Sequence, residues 1–132
     1  MSSFGALLRQ YRERARLSQL GLARISGVHA SIINRFERDE RQPADREMID
    51  RLAKALRLPP ADYDRLLAAG GFFPVAIARL GAADPDLLMV ADILADETIP
   101  AAEREEFRTL LRIVGRRWRA DGHQAHRLSA SA

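Results

Sequence analysis

The chain has 132 residues and a net charge of +3, and apolar residues make up 47% of it. This length suits one compact domain, or a small domain with a helical extension. The absence of cysteine excludes disulfides and thiolate metal sites. The longest apolar run, residues 66–78, is interrupted by Gly70, Gly71 and Pro74 and is too short to span a bilayer. The N-terminus has no signal-peptide pattern, so we expect a cytoplasmic protein.

The positive charge is concentrated in the first half of the chain. Residues 1–70 hold 13 Lys and Arg against 9 Asp and Glu, whereas residues 71–132 hold 8 against 9. Between Arg9 and Arg41 there are 8 basic and 4 acidic side chains. Such a local excess is typical of a phosphate-binding surface, although an ordinary solvated surface can carry the same charges.

The first predicted helix runs from about Phe4 to about Ala15, and Ser2 or Ser3 can cap it. Its apolar residues recur at spacings of three and four, as they do when one face of a helix packs on a core. These residues are Phe4, Leu7, Leu8 and Tyr11. The pattern predicts an amphipathic helix.

Two short helical patterns follow, joined at Ser26-Gly27-Val28. Ser18 is a suitable N-cap for the first of them, because its hydroxyl can accept from the free N–H groups of the first turn. Gly27 supplies the small and permissive residue that a tight helix–helix turn requires. The spacing therefore predicts a helical hairpin with a short connection.

The second helix of this pair is expected to have one apolar and one polar face. It should begin near His29 or Ala30, with Ile33 and Phe36 facing inward. The other face carries Ala30, Ser31, Asn34, Arg35 and Arg38. Small, amide and arginine side chains grouped in this way are suited to read base edges in a major groove. The pattern predicts a helix-turn-helix whose second helix is the recognition helix.

These residues, taken in order, resemble the phage-repressor and Cro-type (XRE) helix-turn-helix family over roughly residues 4–58. The features that carry the resemblance are Phe4-Gly5, Leu17-Ser18-Gln19, Leu22-Ala23, Gly27-Val28, Ile33, Arg35, Glu37-Arg38, Pro43 and Leu52-Ala53-Lys54-Ala55-Leu56. The resemblance implies an all-α protein with a five-helix, lambda-repressor-like DNA-binding domain in residues 1–70. It implies a partner as well, double-stranded DNA.

The resemblance also implies roles for single residues. In this family an arginine of the first helix pairs with a glutamate at the end of the recognition helix, and here these would be Arg12 and Glu37; an ordinary exposed arginine is the alternative. The residues expected to contact phosphates are Ser18, Gln19, His29, Arg38 and Arg41. The residues expected to read bases are Ala30, through a thymine methyl group, and Ser31, Asn34 and Arg35.

The sequence departs from the usual family pattern at five positions. Leu20 and Gly21 stand where charged residues are common, and His29 stands where a serine or threonine cap is usual. Asp39 and Glu40 stand where the turn after the recognition helix often has a glycine. Aspartate tolerates the left-handed conformation, so we expect this turn to survive.

Two more helices are predicted before residue 71. Asp45 can cap a fourth helix, which Pro59-Pro60 ends. A fifth helix is expected from about Ala61 to Ala69, and Gly70-Gly71 stops it. The apolar residues expected to face the core from these helices are Met48, Ile49, Leu52, Ala53, Leu56, Tyr63, Leu66 and Leu67.

The second half predicts a helical extension. Residues 71–83 are too apolar for a flexible linker and are expected to form a packed connector, which either packs on the first domain or includes one short helix. A helix should run from Asp84-Pro85 to about Ala95 and a longer one from Ala101 to Arg119, whereas residues 120–132 are expected to be disordered. The apolar residues of the longer helix are Phe107, Leu110, Leu111, Val114 and Trp118. We expect residues 84–119 to form a homodimer contact through them; the alternative is a monomer in which they pack on the connector.

No pattern in the sequence supports catalysis. There is no Gly-rich phosphate loop and no Ser/His/Asp arrangement, and the pair His123-x-x-His126 is discounted as a metal site, so no enzyme, metal or cofactor is predicted. We interpret the chain as an XRE-type transcriptional regulator, a repressor that binds an inverted-repeat operator as a homodimer. Two alternatives stay open. One is an antitoxin or prophage regulator that also binds a partner protein. The other is an adaptor without DNA binding that uses exposed Leu20 and Ile25.

Overall fold

The computed structural model describes residues 3–120, with side chains for residues 3–119, and every regular element in this part of the chain is an α-helix. The helices are α1 (Phe4–Arg14), α2 (Gln19–Ser26), α3 (Ala30–Glu37), α4 (Arg46–Ala55), α5 (Pro60–Ala69), α6 (Val75–Leu80), α7 (Pro85–Ala95) and α8 (Ala101–Ala120). The predicted all-α fold class is confirmed. The bounds predicted for the other helices agree with these to within one residue, but α4 ends at Ala55 and not at Pro59-Pro60, because Arg57 already adopts a left-handed conformation. No bounds were predicted for α6, which lies within the predicted connector.

The chain divides into two compact units, of which the first ends at Gly81 and the second begins at Ala82. The domain boundaries given above stay predictions. The predicted tail, and His123 and His126 with it, lies outside the described residues, apart from residue 120, which is the last of α8. Among residues 3–120, none of the helices combines the length and the apolar character that a membrane span requires.

Side chains of the expected type cap the helices of the first unit. The Ser3 hydroxyl accepts from the Ala6 N–H at 3.1 Å, and the Ser18 hydroxyl accepts from the Gly21 N–H at 2.9 Å. Asp45 does the same for α4 through the Met48 N–H at 2.9 Å. Each cap satisfies a donor that has no partner within its own helix, which fixes where the helix begins.

The core of the first unit is formed by the apolar faces of α1 to α5. Its buried residues are Phe4, Leu8, Tyr11, Leu22, Val28, Ile33, Phe36, Ile49, Leu52, Leu56, Leu66 and Leu67. The rings of Phe4 and Phe36 meet edge to face, with centroids 5.4 Å apart. Each fully buried side chain of this size contributes about 1.5–3 kcal/mol through the hydrophobic effect. This core fixes α3 against α1 and α2.

Gly5 allows α1 to approach the end of α3 closely. A Cβ atom at this position would overlap the backbone carbonyl of Phe36, and it would lie 2.8 Å from a carboxylate oxygen of Asp39. Only a residue without a side chain fits there. In the Phe4-Gly5 pair, Phe4 therefore fills the core and Gly5 leaves room for the end of α3.

Polar contacts between α1, α4 and α5 add to the core. Asp62, which is buried, accepts from the Tyr11 hydroxyl at 3.3 Å and from Arg14 at 2.8 Å. Burial raises the pKa of Tyr11, and the Asp62 carboxylate raises it further. Tyr63, expected to be buried, is only half-buried; it packs against the core, and its hydroxyl donates to Asp50 of α4. No local pattern in the sequence predicts these contacts, since they join residues distant along the chain.

The end of the first unit packs back on its core. Phe72 and Val75 lie against the buried cluster, whereas Phe73 and Leu80 are exposed. The N-terminus of α6 follows Pro74, which has no side-chain oxygen to cap it. The Asp64 carboxylate of α5 supplies that cap by accepting from the Val75 N–H at 2.8 Å. This contact ties residues 72–76 to α5.

The second unit contains α7 and α8. Asp84 caps α7 by accepting from the Asp86 and Leu87 N–H groups at 3.0 and 3.1 Å. The Arg104 guanidinium of α8 donates to the Leu94 carbonyl at 3.4 Å. No side chain between residues 82 and 119 is buried. The helix pair thus has no closed core of its own within these residues.

Candidate nucleic-acid interface

The turn between α2 and α3 has the conformation that the sequence predicted. Gly27 adopts the left-handed conformation with φ of 73°, which costs a residue without Cβ little. The Ser26 hydroxyl accepts from the Val28 N–H at 3.1 Å, and Val28 is buried against the core. The turn therefore delivers the chain into α3 at a fixed position.

The two faces of α3 differ as expected. Ile33 and Phe36 are at most 1% exposed. On the outer face Ser31 and Arg35 are exposed, whereas Ala30 and Asn34 are half-buried. No ion pair within the described residues involves Arg35, so its guanidinium is available to a ligand. The four residues predicted to read bases thus lie on one short helical surface.

Gln19, the first residue of α2, contacts this surface. Its side-chain amide donates to the Asn34 Oδ1 at 3.3 Å. A long hydrogen bond of this kind orients both amides without using all their donors and acceptors. The structure therefore brings together one residue predicted to contact phosphate and one predicted to contact bases.

His29 precedes α3 without capping it. The residue occupies the N-cap position, but its side chain accepts from no backbone N–H of the first turn. Its ring Nδ1 lies 3.2 Å from the Ser31 hydroxyl. The imidazole is exposed, and the first N–H groups of α3 are left free for another acceptor.

A buried ion pair joins α1 to the end of α3. Arg12 donates from Nε and Nη2 to the two carboxylate oxygens of Glu37 at 2.8 and 2.7 Å. The side chains are only 13% and 4% exposed. The hydrogen bond to Glu37 raises the pKa of Arg12 even though burial opposes it. Arg12 also donates to the Leu17 carbonyl at 2.9 Å, which fixes the segment that leads into Ser18 and Gln19.

The turn after α3 survives without a glycine. Asp39 adopts a left-handed conformation with φ of 56°, and the Glu40 N–H donates to the Arg35 carbonyl at 2.9 Å. The Asp39 N–H donates to the Phe36 carbonyl, which completes a Schellman motif. The Asp39 carboxylate also accepts from the Ser3 hydroxyl at 3.1 Å, which ties the turn to the start of α1.

The arginines that flank this turn differ in their surroundings. The guanidinium of Arg38, 64% exposed, lies 3.2 Å from the Glu40 carboxylate. Arg41 is exposed and takes part in no ion pair within the described residues. Arg41 is therefore freer than Arg38 to contact a phosphate. Ser18 is exposed as well, although its oxygen already accepts from the backbone of α2.

Comparisons with known proteins agree with this geometry. Residues 3–66 match the family model described as "Helix-turn-helix domain". The chain is also similar to the HTH-type transcriptional repressor RghR of Bacillus subtilis (strain 168), with 39% identity over 72 residues. That match covers 54% of this chain and 51% of the relative, so the chain spans about half the length of the curated relative it matches. No solved structure matches the chain significantly.

Residues 3–66 form a DNA-binding helix-turn-helix domain of the XRE-like type. Regulators with this domain are typically not enzymes. The predicted helix-turn-helix domain is confirmed for residues 3–66 by the family model, which covers α1 to α4 and most of α5. The individual contacts to bases and phosphates stay predictions.

Proposed function

We propose that the chain is a sequence-specific transcriptional repressor that binds an inverted-repeat operator as a homodimer in the cytoplasm. The observation that carries the proposal is the outer face of α3, where Ser31 and Arg35 are exposed beside Asn34 while the inner face is fixed in the core. A rigid helix with free polar side chains on one face suits insertion into a major groove.

The base contacts follow from the chemistry of the side chains. Arg35 presents a planar fork of donors that matches the O6 and N7 acceptors of guanine. Asn34 can hydrogen-bond a base edge, with Gln19 orienting its amide from α2. Ala30 offers a methyl group to thymine, and Ser31 can donate or accept. These four residues would supply the sequence preference of each half-site.

The phosphate contacts would frame this surface. Ser18 and Gln19 lie at the N-terminus of α2, and His29 lies at the N-terminus of α3, where free N–H groups and the helix dipole attract anions. Arg38 and Arg41 lie just beyond the other end of α3. Contacts of this kind set the position of a protein on the duplex but do not depend on sequence.

The assembly as a homodimer is supported by the second unit. A single small domain makes too few base contacts for tight binding, and regulators of this kind usually read two half-sites about 10 base pairs apart. The α8 residues Leu110, Val114 and Trp118 are 56–60% exposed. Burying them between two copies would remove this apolar surface from water. Repression rather than activation is inferred from the similarity to RghR.

A second candidate function rests on the outer face of α2. Leu20 is 53% exposed and Ile25 is 60% exposed, and Leu20 stands where the family pattern commonly has a charged residue. These residues would suit an adaptor that binds a protein instead of an operator. The third reading, an antitoxin or prophage regulator with a partner protein, stays a prediction that a neighbouring toxin-like reading frame would favour.

Selection of bound duplexes from a random pool by the full-length chain tests the proposal. We expect enrichment of one inverted repeat, with binding that weakens steeply as salt rises because phosphate contacts release counterions. A variant carrying Ser31→Ala, Asn34→Ala and Arg35→Ala keeps the inner face of α3 and serves as the control; it should enrich nothing. Failure of the wild-type chain to enrich any duplex at low salt would overturn the proposal and favour the adaptor.

A further inference from the structure

The exposed residues of α8 include a seam that coincides only in part with the apolar residues the sequence pattern singled out. Leu110, one of those residues, is 60% exposed, and Ile113, which was not among them, is 55% exposed. Residues at alternating spacings of three and four follow the same line along a helix. We call this line the outer seam: Glu103, Glu106, Leu110, Ile113 and Arg117.

The charges of the outer seam are separated along the helix. Its N-terminal end is acidic, with Glu103 and Glu106, its middle is apolar, and its C-terminal end is basic, with Arg117. All three charged residues are exposed. The ion pairs within residues 101–119 use Glu105 with Arg108 and Arg112, which lie on the opposite side of the helix, so the charges of the seam have no partner in this range.

We propose that the outer seam pairs with the outer seam of a second copy, with the two α8 helices antiparallel. This inference rests on the proposed homodimer and specifies its geometry: it keeps Leu110 but centres the contact on Ile113, and not on Val114 and Trp118. A two-fold axis that sets Leu110 opposite Ile113 of the second copy also sets Glu106 opposite Arg117, because each lies four residues outside that apolar pair. One register therefore matches the apolar centre and both charged ends.

A parallel pairing would do the opposite. It would set Glu106 against Glu106 and Arg117 against Arg117, so every charge on the seam would face its own sign. It would also align the two helix dipoles in the same direction. Only the antiparallel arrangement sets Glu106 against a guanidinium, that of Arg117, and it does so twice in one dimer because the contact is symmetric.

The second unit also needs such a partner. No side chain between residues 82 and 119 is buried, so α7 and α8 leave their apolar residues open to water. Leu88 and Met89 of α7 are 47% and 51% exposed as well. We infer that the partner is a second copy, because the acidic end of the seam is complementary to the basic end of the same seam in an antiparallel copy.

Cysteine cross-linking of the full-length chain tests the orientation. The chain contains no cysteine, so Glu106→Cys and Arg117→Cys each introduce a single thiol. In the antiparallel dimer two thiols at position 106 lie about 16 Å apart along the helices, at about 1.5 Å per residue, too far for a disulfide. We expect no cross-link in either variant alone and an efficient one after the two are mixed and oxidised.

The controls make each outcome decisive. Arg119→Cys lies on the face away from the seam and should not cross-link when mixed with Glu106→Cys. A cross-link in Glu106→Cys alone would mean a parallel pairing and would overturn the proposal. A dimer by sedimentation that gives no cross-link in any mixture would also overturn it and leave the homodimer standing. A monomer at micromolar concentration would overturn both the seam pairing and the homodimer. The selection of bound duplexes tests DNA binding separately.

Charge exchange gives an independent measurement. Glu106→Arg and Arg117→Glu should each weaken the dimer by about tenfold or more, because two attractive contacts become repulsive. The double variant should return to the wild-type dissociation constant. Arg119→Glu makes the same change of charge off the seam and should have little effect. Equal effects of Arg119→Glu and Arg117→Glu would contradict the register.

Discussion

A large effect on stability is expected from the pair between Arg12 and Glu37, because both side chains are largely buried. Removal of the carboxylate would leave a guanidinium without its partner at a site that water barely reaches. We therefore expect Glu37→Ala to lower the free energy of unfolding by about 3–5 kcal/mol. Urea denaturation of the full-length chain measures this loss.

The chain contains a matched exposed pair as the control. Arg9 and Glu13 lie 2.9 Å apart with side chains 64% and 56% exposed. Water screens such a pair, so Glu13→Ala should cost less than about 1 kcal/mol. If the two variants lost equal stability, the buried pair would have no special role.

Arg35 and Arg41 are expected to differ in how they contact DNA. Arg35 should pair with one guanine, so Arg35→Ala should cost about 1–3 kcal/mol on the preferred site and relax the preference at one position. Arg41→Ala should weaken binding to all sequences and lower the salt slope by about one. Fluorescence anisotropy with matched and mismatched duplexes measures both effects. If Arg35→Ala weakened binding to every duplex equally, Arg35 would not be a base-reading residue.

Tyr11 should give the stability a dependence on alkaline pH. Its pKa is raised by burial and by Asp62, so the folded state holds the phenolic proton more tightly than the unfolded state. This stabilisation is present in full below the unfolded pKa of about 10 and is lost as pH rises through the folded pKa. Tyr11→Phe should cost about 0.5–1.5 kcal/mol near neutral pH, and the cost should shrink above about pH 10. A difference independent of pH in urea titrations would contradict this assignment.

At the scale of helices, three of the described helices are followed by a residue other than glycine in the left-handed conformation. These residues are Arg16, Asp39 and Arg57, which follow α1, α3 and α4. Each of these residues lies two positions after the last residue of its helix. Its backbone N–H donates to a carbonyl of the last helical turn, as in a Schellman motif. The hydrogen bonds stabilise the turns, whereas the Cβ atoms destabilise them.

Arg57 allows this balance to be measured, because its side chain is exposed. Arg57→Gly removes backbone strain of about 1–2 kcal/mol from the folded state. It also gives the unfolded chain more conformational entropy, which lowers the stability by about 0.5–1 kcal/mol. We expect a net gain in stability of up to about 1 kcal/mol in thermal or urea unfolding. Arg57→Ala keeps the Cβ atom and should give no gain. A loss of stability in Arg57→Gly would mean that the arginine makes contacts that outweigh its strain.

At the scale of the whole molecule, the two units are expected to have separate roles. The first unit has a closed core and should fold without the second, whereas residues 82–119 bury no side chain. We therefore expect a fragment ending at Ala83 to be monomeric and the full-length chain to be dimeric at micromolar concentration. Sedimentation velocity of both proteins measures this difference. A dimeric fragment would move the contact into the first unit.

The sequence by itself determined the helices other than α6 and the location of the candidate site. Caps, proline breaks and apolar spacings act over a few residues, so they can be read directly from neighbouring positions. For the same reason α3 and its outer residues, from Ala30 to Arg35, were predictable from the linked motif around Gly27. The resemblance to a helix-turn-helix family was readable too, because Ser18, Gly27 and Ile33 stand in a fixed order.

Only the tertiary structure decided which distant residues meet. Nothing in the local pattern indicates that Gln19 contacts Asn34, that Asp62 accepts from Tyr11 and Arg14, or that Asp64 caps α6. The exposure of Ile113 could not be predicted from the sequence either, because an apolar stripe wider than one helix face can pack in several ways. Contacts of this kind depend on how helices pack across the core, and packing is set by the whole set of side chains rather than by any short segment.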